Sequence, residues 1–285
     1  MADVTSLANG FEPGVPVVSD RTSERAFLGA SALIFAASTA ITIVWCASMS
    51  AMEGMPMPGG WTMSMAWMRM PSQTWPEAAA MFLGMWIAMM VAMMLPSLVP
   101  MLRRYREAVL ISLSPAGGEG VVRGLGRLTA LVGVGYFFVW TLFGMAAYPL
   151  GVALAAIEMR HPAVARAVPV AVAVVVLFAG ALQFTRWKAC HLACCRPGRG
   201  GSLRADAGTA WRHGVHLGVH CVRCCAGLMA ILLVIGVMDL LAMAVVAAAI
   251  TAERLAPSGE RVARAVGAAL IGAGLLLLAR AAGLG

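Results

Sequence analysis

Long apolar runs alternate along the chain with short polar segments that are mostly basic. Residues 27–46 form a run of 20 without a charge, enough to cross a hydrocarbon layer of about 30 Å as a helix. The next run, 77–99, follows Pro76, which suits the first turn of a helix, and closes near Pro96 and Pro100. A third covers 128–156, where Pro149 is expected to end or kink the helix. The remaining runs are 163–183, 226–250, interrupted only by Asp239, and 262–284. This pattern predicts an all-α fold, a polytopic membrane helical bundle of about six transmembrane helices. Residues 1–26 read as a mobile cytoplasmic tail and 27–285 as the membrane domain.

Composition agrees. Only 12% of residues are charged and 61% are hydrophobic, against about 25% charged in a soluble domain, so an ordinary water-soluble enzyme is excluded. The net charge of +8 is carried by arginine, with Lys188 the single lysine. Because these residues sit in short loops between apolar runs, they report topology rather than a nucleic-acid partner. Arg21, Arg25, Arg103, Arg104, Arg106, Arg123, Arg127, Arg186, Lys188, Arg196, Arg199, Arg204 and Arg212 fall on one side. The other side has Arg69, Arg160, Arg166, Arg254, Arg261 and Arg264. The basic side is expected to be cytoplasmic, with both termini there, in a bacterial inner membrane.

Soft ligands are segregated in the same frame. Of the 21 methionines, 15 lie between Met49 and Met101. Eight fall in the expected external loop, 47–76, among prolines, glycines and tryptophans, and Glu53 adds a carboxylate. In the second run Met81, Met85, Met89 and Met93 recur every four residues and share a helix face, with Met90 and Met94 beside it. Thioethers select Cu(I) over hard cations, although methionine also fills apolar gaps. Copper is the first choice of metal and zinc the second.

Six of seven cysteines and four of five histidines lie between Cys190 and Cys225, in an expected cytoplasmic loop, 186–225. Cys190, Cys194 and Cys195 close the first half, and His216, His220, Cys221, Cys224 and Cys225 occupy the second. As helical extensions these segments would bring four to six N/S ligands together, as Zn²⁺, Cu(I) or an iron–sulfur cluster requires. Cys221 and Cys224 have redox-pair spacing without the strand–helix context of thioredoxins. Cys225 stands where haem attachment would need His. Asp239 within the fifth run is by default a functional residue. It is open to ion binding, proton relay or a hydrogen bond to another helix, with Gln183 a candidate partner.

Several ordered motifs carry a family resemblance. They are Trp86-Ile-Ala-Met89-Met90-Val-Ala92-Met93-Met94-Leu-Pro96, Gly135-Tyr136 with Trp140, and Gln183 to Lys188 followed by Cys190, Cys194, Cys195, Arg196 and Pro197. Cys224-Cys225 with Leu228-Met229 and Gly236-Val-Met238 complete the set. The chain resembles a bacterial family of predicted metal-binding integral membrane proteins. It departs from that pattern at Ala226, Asp239 and Glu253-Arg254. The resemblance implies metal binding in a six-helix membrane domain and leaves the reaction open.

Three functions fit these residues. The first is handling of a soft metal, most simply copper, by transport, delivery or loading of a metal-receiving membrane enzyme. The second is a metal- or haem-containing subunit of a membrane oxidoreductase. The third is a structural accessory subunit packed against other membrane-protein subunits in the lipid bilayer. No phosphate-binding glycine loop is present, which argues against ATP-driven transport by this chain alone.

Overall fold

The computed structural model describes residues 17–51, 54–69, 73–113, 119–195 and 204–283. Eight helices follow one another among these residues: α1 (Val17–Ser50), α2 (Trp75–Leu113), α3 (Glu119–Arg160), α4 (Pro162–Leu182), α5 (Arg186–Cys195), α6 (Ala207–Ile235), α7 (Leu240–Leu255) and α8 (Gly259–Ala281). Between α1 and α2 lies a small hairpin of β1 (Met55–Met57) and β2 (Trp61–Met63), closed by a type of turn that uses Gly59 and Gly60 at positive φ. Six helices, α1 to α4, α6 and α8, are long and apolar enough to cross a membrane.

The fifth apolar run departs from its expected form. Residues 226–250 belong to two helices, because the backbone reverses at Gly236 (φ 142°) and Asp239 starts α7 by accepting the Ala242 N–H at 2.9 Å. Asp239 is therefore an exposed helix cap and not a mid-span carboxylate. The long first half, α6, begins at Asp206, whose carboxylate accepts from Thr209 N and Oγ1; these bonds hold its pKa below the usual carboxylate value. The histidine-rich stretch expected in a loop is thus helical.

Two helices run past residues that were expected to end them. α2 continues through Pro96 and Pro100 to Leu113, and α3 continues through Pro149 to Arg160. Each proline removes only one intrahelical bond, and neighbouring helices pack α2 on several sides. Residues 17–26, expected in a mobile tail, extend α1. Glu24 pairs with Arg103, and Ser23 Oγ accepts from Arg106 at 2.7 Å. The earlier part of that expected tail lies outside the described residues.

Close backbone approaches set the packing. Gly214 and Gly218 of α6 lie against Val132 and Tyr136 of α3; a Cβ on Gly218 would fall 2.9 Å from the Tyr136 carbonyl oxygen. This contact places Tyr136 opposite the next turn of α6. Along α4, Leu177 faces Gly274 and Gln183 faces Gly267, so α8 runs antiparallel to α4. Trp61 Nε1 donates to the Ala165 carbonyl at 2.9 Å and ties the hairpin to the start of α4. The C-terminal end of α8 consequently points toward the hairpin, while α1 begins beside Arg103 and Arg106 at the other end of the bundle. The start of α1 and the end of α8 thus lie at opposite ends of the bundle, because the break at Gly236 adds a reversal. It also moves Arg254, Arg261 and Arg264 away from the hairpin end, to the turn beside α5 where Arg264 borders Arg186 and Lys188.

Candidate metal centre

Cys221 and Cys225 stand one turn apart on α6 and are both buried. Cys221 Sγ lies 3.8 Å from Cys225 Sγ and 4.0 Å from Met94 Sδ of α2. A three-coordinate ion with metal–sulfur bonds of about 2.3 Å separates its sulfurs by about 4 Å in a planar arrangement. The two observed spacings suit that geometry. Thiolate and thioether together are donors that select Cu(I).

Around the sulfurs lies a polar shell inside an apolar bundle. Tyr136 OH of α3 donates to Cys221 Sγ at 2.9 Å. Arg254, near the end of α7, donates from Nη1 to Cys221 Sγ at 3.2 Å, Ser97 Oγ at 2.8 Å and Tyr136 OH at 3.4 Å. Its Nη2 reaches Met101 Sδ at 3.2 Å. The neighbouring Glu253 turns the other way, accepting from Lys188 Nζ at 2.7 Å and from Gln183 Nε2 at 2.8 Å. Lys188 also donates to the Cys224 carbonyl at 2.8 Å. Gln183 thus serves Glu253 rather than Asp239. Lys188, Glu253 and Arg254, read from the sequence as loop residues or a helix end, are all buried; Lys188 and Glu253 meet where α5 contacts α7, and Arg254 faces α2, α3 and α6.

The expected ligands divide into groups. Cys221 and Cys225 converge with Met94, and Cys224 is buried beside them in sequence. His216 and His220 form a ring pair at 4.7 Å, with His191 of α5 6.3 Å from His220, and His213 stacks on Tyr105 at 5.4 Å. Cys190 is exposed on α5. Cys194 and Cys195 belong to the last turn of α5, and their side chains lie outside the described residues. Met85, Met89 and Met93 are buried in the core that also contains Cys221 and Cys225, whereas Met81 is exposed and accepts from Gln73. Asp239 caps α7. In the hairpin region Met63 is buried and Met55 exposed; Met52, Glu53 and Met70 lie outside the described residues.

Among the described residues, no three His, Cys, Asp or Glu side chains gather closely enough to hold a metal by themselves. The sulfur cluster of Cys221 and Cys225 includes a methionine, Met94, as its third member. Sequence reasoning placed Met94 beside the methionine face without giving it a role, and did not identify Ser97, Met101, Tyr136 or Arg254 as neighbours of the cysteines. The available signal was the adjacent pair Glu253-Arg254 at the end of an apolar run, where charge demands a partner.

The chain matches no curated protein and no solved structure. One family covers residues 83–277, a stretch that contains Met94, Met101, Tyr136, Cys221, Cys225 and Arg254 and leaves the hairpin outside. With more than half of its length matched, and with a buried set of soft donors within that length, the chain belongs to the family described as PpoB2, copper chaperone.

Proposed function

We propose that the protein carries Cu(I) within the bacterial cytoplasmic membrane and hands it to a metal-receiving membrane enzyme, with Met94, Cys221 and Cys225 as the holding site. Membership of a copper chaperone family supports a copper-related role. The observation that carries the proposed site is the sulfur spacing of 3.8 and 4.0 Å among three buried side chains. Met85, Met89 and Met93 lead toward it along α2 at intervals of about 6 Å, four residues of helix rise. Copper captured by the methionine hairpin would pass along these thioethers by exchange between soft ligands, without change of oxidation state. Arg69, Arg160 and Arg166 lie toward the hairpin end, and most other basic residues lie toward the opposite end. That bias supports an outward-facing hairpin.

The test is purification of the full chain in detergent after loading with Cu(I) under reductant, followed by elemental analysis and an optical spectrum. Stoichiometric, colourless copper that falls to background in the Cys221→Ser/Cys225→Ser variant is the expected outcome. Copper retained by that variant would move the site to the methionines or histidines. A Soret band would favour the oxidoreductase-subunit reading, and metal-free wild type would overturn copper handling by this chain.

A further inference from the structure

The charge around the three sulfurs bears on which cation they accept, and this inference rests on the proposed holding site. Cysteine ligates as thiolate, so Cys221 and Cys225 contribute two negative charges to a loaded centre and Met94 contributes none. Arg254 contributes one positive charge that protein environments do not remove. It is 4% exposed and sits 3.2 Å from Cys221 Sγ. Lys188 and Glu253 cancel as an ion pair at 2.7 Å. Tyr136 donates its hydroxyl hydrogen to Cys221 as a neutral group. With Cys224, the third buried thiol and a hydrogen-bonded neighbour of Cys225, staying a neutral thiol, two thiolates and one guanidinium leave a single negative charge, which one monovalent ion neutralises. A divalent ion would leave an uncompensated positive charge in the interior of the bundle, where unpaired charge is costly.

We propose that Arg254 makes the centre selective for a monovalent soft cation over a divalent one such as Zn²⁺. Its role is to set charge, and it does not ligate. Ser97 Oγ at 2.8 Å, Tyr136 OH at 3.4 Å and Met101 Sδ at 3.2 Å hold the guanidinium where it faces Cys221. The charge therefore stays beside the ligand. Without it, two thiolates and a thioether form a neutral centre with a divalent ion, and zinc binds thiolate readily. A purely structural arginine would alter stability without changing the preference between ions of different charge.

Competition on the purified full chain tests this, with Cu(I) against Zn²⁺ under reductant and Ag⁺ against Cd²⁺ as a redox-inert pair. Wild type is expected to take the monovalent member of each pair. In Arg254→Gln the preference shifts toward the divalent member by roughly tenfold or more, and Arg254→Lys, which keeps the charge, retains the wild-type preference. Arg254→Gln that binds metal with unchanged preference overturns the proposal, as does Arg254→Lys that loses it. Wild type that accepts Cd²⁺ as readily as Ag⁺ overturns it without recourse to a variant. If wild type binds Cu(I) through Cys221 and Cys225 but is indifferent to ion charge, the role of Arg254 alone fails. If it binds no metal, the proposed function fails with it.

Discussion

The hairpin and the buried centre are both rich in sulfur, and they differ in what surrounds it. Around the hairpin, Met55 is exposed, Met57, Met65 and Met68 are half-buried, and Met63 packs inward. These are thioethers alone, on a short two-stranded element tied to α4 by Trp61 and on the single helical turn that follows it. In the buried cluster, one thioether from α2 meets two thiols from α6 under a tyrosine hydroxyl from α3 and a guanidinium from α7. Neutral, partly exposed donors suit transient capture. Buried thiols with fixed polar neighbours suit retention, because their geometry is set before the ion arrives. A high local count of methionine is therefore a poor guide to where thioethers meet thiols in the interior.

The contrast can be broken most severely at the buried charges. Glu253→Ala leaves Lys188 buried without its carboxylate partner, and should cost about 3–5 kcal/mol, read as a lower unfolding midpoint in detergent. Pairing it with Lys188→Met should restore much of the loss. A variant as stable as wild type would mean that the pair does not organise the α5–α7 contact. The same single substitution made among the hairpin methionines should have no comparable effect.

Gly214→Ala tests whether helix spacing builds the centre. Its Cβ would meet the Val132 backbone, so α3 and α6 must separate, and overpacking of this kind costs about 1–3 kcal/mol. Copper occupancy should fall together with stability. Preserved occupancy would show that Tyr136 need not sit against Cys221.

Replacing Met55, Met57, Met63, Met65 and Met68 with leucine sharpens the comparison from the other side. Occupancy after loading with excess Cu(I) should match wild type, while uptake from dilute copper slows. Time-resolved uptake against a chelator separates the two, and a loss of final occupancy would place the holding site in the hairpin. The smallest effect is expected for Asp239→Ala, which removes the α7 cap for about 1 kcal/mol and leaves copper bound. Copper loss there would return Asp239 to the ligand set.

The helical membrane class was legible in the apolar runs, since a charge-free stretch of this length has few other ways to satisfy its backbone. Helix ends were less legible. Prolines at 96, 100 and 149 resemble stops, yet packing from neighbouring helices carries α2 and α3 through them. The fifth run looked continuous because Gly236 and Asp239 interrupt it with only four residues, and the reversal depends on a backbone conformation that hydropathy does not register. That one break decides where α7 ends, and hence that Arg254 reaches Cys221 and Glu253 reaches Lys188.

By itself the sequence determined a helical membrane protein whose methionines cluster in one region and whose cysteines and histidines cluster in another, because length, apolarity and donor softness are properties of residues and short windows. Only the tertiary structure decided which sulfurs meet. Met94, Cys221, Cys225 and Arg254 are far apart in the chain or on different turns, and their convergence follows from the glycine-mediated approach of α3 to α6 and the return of α7. Those are contacts between helices, which no local pattern of residues encodes.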